Sequence, residues 1–338
     1  MRRLLIYVAK RLAIIPVSVF VLVSMASLLT SLLPSNPALT ILGDAASPEQ
    51  VAMVNEQLGV DKPFHQRYVD YWAKVLKGDL GTSFFSGQPV RDEIFRYLPS
   101  TIELILMSLA VALVIGMTIG TVGSYFRNRF PDKIGKTVTS ALQSTPDFLL
   151  ALILIYFVFY LMRLVPAPVG RLDLGTANPP RVTGFMMLDS LIAGEFDTFA
   201  DLFGHAILPV TALGVAYAAY FAKTTRSVMG RALIAPQVEF ARACGLPEWR
   251  VVHYAYLAGR TPILTYVAIL FGSLLGGASI LETIFNWRGL GQWGLEGVLR
   301  LDVPIIQGFV LTCGALTLVI FLVLDILVLL LDPRISYE

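Results

Sequence analysis

The sequence predicts an all-α integral membrane protein with six transmembrane helices. Of its 338 residues, 56% are apolar and only 15% are charged, whereas a soluble domain is about 25% charged. The mean hydropathy is +0.70, and the apolar residues are gathered into runs long enough to cross roughly 30 Å of hydrocarbon as helices. The net charge is only +2 and no basic run is interleaved with aromatic residues, so no nucleic-acid partner is expected.

The first predicted helix lies in residues 1–33, where Arg2, Arg3, Lys10 and Arg11 precede an apolar run. A basic start followed by an apolar run is also typical of a signal peptide. This run is longer than a usual signal-peptide core, and no small-residue cleavage site follows closely. We therefore expect an uncleaved N-terminal transmembrane helix.

Residues 34–99 are predicted to be an extracytoplasmic segment, because they are too polar to span a membrane and are rich in Pro and Gly. Helical spacing of apolar residues predicts two short amphipathic helices in this segment, at 50–58 and 63–76. His65 is considered as a metal ligand, but no second ligand stands at a suitable spacing. An exposed polar role is the favoured interpretation of this residue.

Residues 100–331 are predicted to form a core of five further helices. Gly116 and Gly120 have the four-residue spacing that permits close approach of another helix. Pro146 predicts a kink or a delayed start in the third span, with Asp147 near the cytoplasmic face, and Pro209 predicts a break near the start of the fourth. The predicted spans are 101–124, 137–162, 205–223, 263–285 and 305–331.

The charges of the connections predict the topology. The N-terminus and the connections after the second and fourth spans are basic, and basic short loops lie on the cytoplasmic side. Six spans with both termini inside satisfy every connection, and residues 332–338 then form a cytoplasmic tail. The expected location is the lipid bilayer of the cytoplasmic (plasma) membrane.

A polar, basic stretch at 238–264 separates two long apolar runs. Pro236 suits the first turn of a short helix, Gly245 suits its left-handed end, and Pro247 suits the start of another helix. The short helix and its turn, here called the knob (about 236–247), would be exposed for contact with another protein. The alternative is a hairpin that only links two spans.

The knob resembles the EAA motif of ABC-importer permeases, with Glu239, Ala241 and Gly245 at matching positions. In that family this segment is the coupling helix, which sits in a groove of the cytoplasmic ATPase. The family commonly has Ala where this chain has Phe240. The resemblance implies a coupling helix at about 236–245 and a set of ATPase-coupling residues, namely Glu239, Phe240, Ala241, Ala243, Gly245 and Leu246.

Other segments resemble B-type permease subunits of oligopeptide/dipeptide ABC importers. They are the GDLG segment, ETIFNWRGLGQ at 282–292, and the DPR end with Asp332, Pro333 and Arg334. The resemblance implies a type I ABC-importer permease fold, with 282–292 as an outer re-entrant segment. It implies that the translocation path or outer gate includes Glu282, Phe285, Trp287 and Arg288. The glycines at 289, 291 and 294 match a dinucleotide-binding pattern literally, but they lack the required strand before them.

The same resemblance implies a permease subunit of an ATP-driven peptide importer, which is not itself an enzyme. Its expected partners are a second homologous permease, one or two cytoplasmic ABC ATPases and an extracytoplasmic peptide-binding protein. ATP and Mg²⁺ would be bound by the ATPases, because the chain has no phosphate-binding GxxxxGK[ST] sequence. No catalytic, cofactor or metal residue is predicted in this chain.

Two alternatives stay open, and a membrane enzyme ranks below both. A nickel-uptake permease would share the fold, and a stand-alone channel or secondary transporter would need no ATPase. A membrane enzyme would need a motif such as HExxH or GxSxG, and neither occurs. Cys244 and Cys313 are interpreted as small packing residues, and Asp325, inside the sixth span, as a hydrogen-bonding partner of a neighbouring helix.

Overall fold

This computed structural model describes residues 2–31, 38, 42–43, 46–58 and 62–331. The described residues form helices joined by turns, and no β-strand occurs among them. The helices are α1 (Arg2–Ser31), α2 (Pro48–Leu58), α3 (Phe64–Val75), α4 (Val90–Tyr125), α5 (Phe130–Ser144), α6 (Asp147–Leu154), which continues as a π-helix (Ile155–Leu161), α7 (Met186–Ala193), α8 (Phe196–Ala232), α9 (Pro236–Ala243), α10 (Glu248–Ile284), α11 (Leu290–Leu299) and α12 (Val303–Leu331).

Four helices are long and apolar enough to cross a membrane, namely α4, α8, α10 and α12. α5, taken together with α6 and its π-helix, is also long and apolar enough to cross a membrane. The two parts are bent by 103° where they meet. In α1 the apolar stretch is shorter, at Ala13–Leu28. By length and composition the described residues therefore supply four or five spans. The prediction of six spans is not decided by this test.

Prolines have opposite effects in two of these helices. Pro146 lies in extended backbone between α5 and α6, which confirms the predicted kink in the third span. The predicted break at Pro209 was wrong, because α8 runs through that residue without interruption. Proline removes one helical hydrogen bond, a loss that packing neighbours compensate in membrane helices. The Pro209 side chain is buried, so neighbouring parts of the protein surround it.

The short helices of the segment before α4 also match their predictions. The predicted amphipathic helices at 50–58 and 63–76 correspond to α2 and α3. His65 is exposed on α3. The helix that contains the second predicted span, α4, begins at Val90, earlier than the predicted start of the span at residue 101. The tail at 332–338, with the DPR residues, lies outside the described residues.

The chain divides into two compact units. The first contains residues 1–101 and 288–319. Its core joins α4 to α11 and α12, with Trp293 packed against Val90 and Ile94. The Trp293 indole N–H donates to Glu93 at 3.2 Å, and the Thr101 hydroxyl accepts the backbone N–H of Leu290 at 2.7 Å. These bonds fix where α11 begins.

The second unit contains residues 102–287 and 320–338, and α8 lies at its centre. Many α8 side chains are buried against α4, α6 and α10. A Cβ added at Gly116 would lie 2.9 Å from the Ala218 carbonyl oxygen, and one at Gly120 would lie 2.6 Å from the Thr225 Cβ. Only glycine permits this spacing of α4 and α8, which confirms the predicted role of the two glycines.

Candidate functional site

The knob is a short helix with a defined start and end. Pro236 occupies the first turn of α9, where its missing N–H costs nothing. After α9 the chain turns through Gly245, whose φ is +75°. The Gly245 N–H donates to the Arg242 carbonyl oxygen at 3.0 Å, and the Leu246 N–H donates to that of Ala241 at 3.3 Å. This pair of bonds is the Schellman ending of a helix, in which glycine avoids a Cβ clash.

Two faces of α9 have different surroundings. Val238 and Ala241 are buried, and Leu246 is half-buried. Val238 packs in a small core with Met229 of α8 and Val251 of α10. The knob is therefore attached to two candidate membrane helices through apolar side chains, and a force applied to α9 acts directly on both.

The outer face of the knob carries the other predicted coupling residues. Glu239, Phe240 and Ala243 are exposed, as is Gly245. Phe240 is 71% exposed and Trp249, just beyond the knob, is 68% exposed. Large aromatic side chains at this exposure are typical of a surface that contacts another protein. The structure thus brings the predicted coupling residues together on one short element, four of them at its surface.

A cleft of about 470 Å³ lies beside the knob. It is lined mainly by the end of α4, the turn after it and the end of α8 with the residues that follow. Its charged residues are Arg127, Arg129, Arg242 of the knob and Glu248 at the start of α10. Arg242 pairs with Glu248 at 3.3 Å, and both side chains are about half exposed. The cleft therefore keeps a net positive charge, which favours an acidic partner surface.

The predicted outer-gate residues lie at the end of α10. Glu282, Phe285 and Trp287 are buried, whereas Arg288 is exposed. The Trp287 N–H donates to the Glu282 carbonyl oxygen at 2.8 Å, and the Phe285 carbonyl oxygen accepts the Gly170 N–H at 2.8 Å. The first three residues therefore form a packed group inside the second unit.

Two charged residues of this group were not predicted as site residues. Arg171 donates to the carboxylate of Glu103 in a buried ion pair, and its guanidinium lies 4.8 Å from the Trp287 ring centroid. The other Glu103 oxygen accepts the Met187 N–H at 2.9 Å. A carboxylate at the start of an apolar run was the available signal for Glu103. Arg171 carried no signal, because nothing in the sequence relates it to a residue 68 positions away.

A third group could hold a metal ion. His205 Nδ1 lies 2.9 Å from Asp201 Oδ1, and His205 Nε2 lies 3.6 Å from Asp173 Oδ1. One imidazole and two carboxylates are donor types that divalent metals accept. The same contacts, with the Asp173 N–H donating to Asp201 at 3.0 Å, also hold the connection before α7 against α8. The sequence did not single out this group.

The remaining predicted residues have ordinary surroundings. Cys313 is half-buried, as expected of a packing residue. Cys244 is exposed at the end of α9 and so does not pack as expected, because its position lies on the surface of the protein. Asp325 is half-buried within α12. The knob, the packed group at the end of α10 and the His205 group are thus three clusters of chemical interest among the described residues.

Long apolar helices with an exposed, capped helix between two of them are typical of a multi-pass membrane protein. The family of binding-protein-dependent transport system inner membrane components matches residues 94–337. The N-terminal part of such membrane components matches residues 4–105. The chain belongs to this family. It is therefore a multi-pass inner-membrane permease and not an enzyme.

Individual relatives cover nearly the whole chain. The probable D,D-dipeptide transport system permease DdpB of Escherichia coli is 35% identical over 91% of both chains. The dipeptide transport system permease DppB of Alkalihalophilus pseudofirmus is 34% identical over 99% of this chain and 100% of its own. The glutathione transport system permease GsiC of Salmonella choleraesuis is 34% identical over 98% of this chain and 99% of its own.

Proposed function

We propose that this chain is the permease subunit of an ATP-driven importer of short peptides. Membership of the family makes it a transport subunit. The relatives described above are named for dipeptides, a D,D-dipeptide and glutathione, and glutathione is itself a tripeptide. The shared substrate chemistry is a short chain of amino acids, and this supports a peptide as the substrate here.

The proposed topology has six spans in a type I ABC-importer permease fold, with both termini in the cytoplasm. Residues 1–33 form the first span, 34–99 lie outside the cytoplasm, 100–331 form the five-helix core and 332–338 the cytoplasmic tail. The support is the basic character of the N-terminus and of the connections after the second and fourth spans. This topology places the knob in the cytoplasm, where an ATPase is available.

The proposed partners are a second, homologous permease, one or two cytoplasmic ABC ATPases and an extracytoplasmic peptide-binding protein. The ATPases bind ATP and Mg²⁺. The single observation that carries this assignment is the exposed face of α9, with Phe240 71% exposed, on a helix whose other face is anchored to α8 and α10. Closure of the ATPases moves the knob, and the knob moves both helices.

Six residues are proposed to make or support this coupling. Glu239, Phe240 and Ala243 contact the ATPase, because their side chains are exposed on α9. Ala241 and Leu246 anchor the helix, and Gly245 holds the turn. The cationic cleft beside the knob supports contact with an acidic part of the same partner.

The outer gate is proposed to include Glu282, Phe285, Trp287 and Arg288. The first three are packed together with Arg171, so they would move as one block when the outer mouth opens. Arg288 is exposed and is the member of the set available to a substrate or to the binding protein.

The experiment that tests this function has two stages. The tagged chain is purified in mild detergent, and the proteins that accompany it are identified by mass spectrometry. The complex is then placed in proteoliposomes, and uptake of a radiolabelled dipeptide and of ⁶³Ni²⁺ is measured with and without ATP. We expect a second permease, ATPases and ATP-dependent peptide uptake. A homogeneous particle of this chain alone, or uptake of nickel and not of peptide, would contradict the proposal.

A further inference from the structure

The third candidate span is broken between α5 and α6. α5 ends at Ser144, Pro146 has the extended backbone that precedes a helix, and α6 begins at Asp147. The two parts meet at 103°. Broken membrane helices place backbone and polar groups where a continuous helix would present only apolar side chains.

Asp147 lies close to residues in the middle parts of two candidate spans, α8 and α10. A Cβ added at Gly277 of α10 would lie 2.6 Å from the Tyr217 hydroxyl oxygen and 3.2 Å from Asp147 Oδ2. Tyr217 and Gly277 lie well inside α8 and α10. The sequence predicted Asp147 near the cytoplasmic face. Its neighbours place it instead at the depth of these helix interiors, because the break at Pro146 divides the span before Asp147.

The Asp147 carboxylate has no cationic partner among the residues that the structure describes. It makes no hydrogen bond or ion pair with any residue that the structure describes. The nearby Tyr217 hydroxyl donates its proton elsewhere, to the Ser273 carbonyl oxygen at 2.9 Å. An intramembrane carboxylate without a partner is costly, so the natural complement of this group is a cation that comes from outside the chain.

The surface around Asp147 is open and suits an organic cation. Asp147 is half-buried, and Ser273 and Gly276 on the facing side of α10 are exposed. The Tyr217 and Tyr220 rings lie beside each other, with centroids 6.0 Å apart, and Tyr220 is 41% exposed. Aromatic faces attract ammonium groups. One carboxylate with aromatic neighbours is a poor metal site, because it lacks further ligands.

We propose that Asp147, with Tyr217 and Tyr220, forms a subsite of the translocation path that binds the N-terminal ammonium group of a peptide. The carboxylate forms a charge-assisted hydrogen bond with the ammonium group, and the tyrosine rings contact its other side. This inference rests on the proposed function, since it takes a peptide as the substrate. It adds the position in the chain and the chemical group of the peptide that is recognised there.

The first test is uptake by proteoliposomes that contain the complete complex and its binding protein. The variants are Asp147→Asn, which removes the charge, and Asp147→Glu, which keeps it. The matched control is Asp197→Asn, an exposed carboxylate in the first turn of α8. We expect at least about tenfold lower uptake for Asp147→Asn, the size of a lost charge-assisted bond, partial recovery in Asp147→Glu and no change in the control.

The ammonium group itself is tested with a peptide whose N-terminus is free or acetylated. The binding protein is the same in all samples, so its own preference cancels when variant and wild type are compared. The ratio of free to acetylated peptide uptake should fall about tenfold in Asp147→Asn. An equal loss for both peptides overturns the inference, and so does Asp147→Asn uptake at the wild-type level.

A labelling experiment is independent of the peptide pair. Asp147→Cys is made with Cys244→Ala and Cys313→Ala, and a cationic methanethiosulfonate reagent is added to the assembled complex. We expect labelling at position 147 and its loss while peptide is being transported. Absence of labelling, or failure of Asp147→Asn to assemble, would show that a partner subunit covers the carboxylate, which overturns the inference. If the wild-type complex carries no peptide, the proposed function itself fails.

Discussion

Arg226 holds the carboxylate of Asp132 with two hydrogen bonds, from Nε to Oδ1 at 2.6 Å and from Nη2 to Oδ2 at 3.0 Å. The Asp132 side chain is completely buried, and that of Arg226 is 31% exposed. The Asn128 N–H and the Lys136 amine also contact the carboxylate, at 2.9 and 3.1 Å. The pair therefore ties the first turn of α5 to α8.

We expect Arg226→Ala to destabilise the protein by about 1–3 kcal/mol, because among the described residues it leaves the buried carboxylate paired with the half-exposed Lys136 alone. Arg226→Lys should lose less, since it keeps the charge but not the paired geometry. The measurement is thermal unfolding of the purified protein in detergent. Arg231→Ala is the control, because Arg231 bonds to Ser227 on its own helix and to no other residue in the described part of the chain. Equal stability of Arg226→Ala and this control would contradict the expectation.

Gly120→Ala should weaken the packing of α4 on α8. The new Cβ would lie 2.6 Å from the Thr225 Cβ and 2.7 Å from the Ala222 carbonyl oxygen, so a helix has to move, at a cost of about 1–3 kcal/mol. Gly230→Ala is the matched control, since nothing lies within 4 Å of its added Cβ. The control should be neutral or more stable, by up to about 1 kcal/mol. Thermal unfolding of the two variants side by side checks both expectations.

Gly245→Asp should abolish peptide uptake while the subunit is still made. At φ +75° a side chain is strained, and a negative charge at the C-terminal end of α9 is unfavourable with the helix dipole. Gly245→Asn has the same shape without the charge and tolerates this conformation, so it should keep part of the uptake. Immunoblotting of the membranes measures the amount of the subunit, and peptide uptake is compared at equal amounts. An assembled Gly245→Asp complex with full uptake would falsify the coupling assignment.

Asp189 is expected to make the junction between α7 and the connection before it sensitive to acid. Burial alone would raise the pKa of its carboxyl, but hydrogen bonds from the Thr183 hydroxyl and N–H, at 2.6 and 2.7 Å, and from the Gly184 N–H, at 3.0 Å, outweigh burial and lower the pKa. A lowered folded-state pKa stabilises the fold fully above the unfolded value of about 3.9. The stabilisation is lost as the pH falls through the folded value.

Hydrogen exchange of residues 183–195 measures this effect. Asp189→Asn should exchange faster than the wild type at pH 6, because its neutral amide accepts these bonds more weakly. The difference should begin to narrow as the pH falls below about 4, the unfolded-state value, and should be smallest below the lowered folded-state pKa, where the wild-type carboxyl is also neutral in the folded protein. A difference that is constant across this range would show that Asp189 contributes no titrating stability.

Arg171→Met should destabilise the second unit strongly, by about 3–5 kcal/mol, because it leaves the buried Glu103 and Glu282 carboxylates without that cation. Adding Glu103→Gln should restore part of the loss, since one of the two charges is removed and the Gln carbonyl still accepts the Met187 N–H. Unfolding of the two single variants and the double variant gives the coupling. A double variant less stable than Arg171→Met alone would contradict the assignment of Arg171 as the cation that neutralises Glu103.

The sequence predicted those parts of the fold whose signals are local. Pro236 and Gly245 fix the start and end of the knob through their own backbone preferences, and Gly116 and Gly120 indicate close helix contact by spacing alone. Pro209 shows the limit of such signals. Its effect depends on whether neighbouring helices surround it, and that packing is not written in the residues next to it.

The polar groups deep in the fold were harder to predict. Arg171 and Glu103 come together from different elements, so no periodicity or motif relates them. The depth of Asp147 depends on where the chain resumes its helix after Pro146 and on which helices pack beside it. Both are properties of tertiary packing, which a single sequence records only as a distribution of apolar residues.

Phe240 and Trp249 have a consequence for the biosynthesis of the protein. In the proposed topology, a newly made copy presents these two large, exposed apolar side chains to the cytoplasm, where quality-control proteases and chaperones act on such surfaces. Burial of these rings against a partner protein would hide the exposed apolar surface from the proteases and chaperones. The cellular amount of this chain would then follow the supply of the protein that covers the knob, and unassembled copies would be removed without a dedicated regulator.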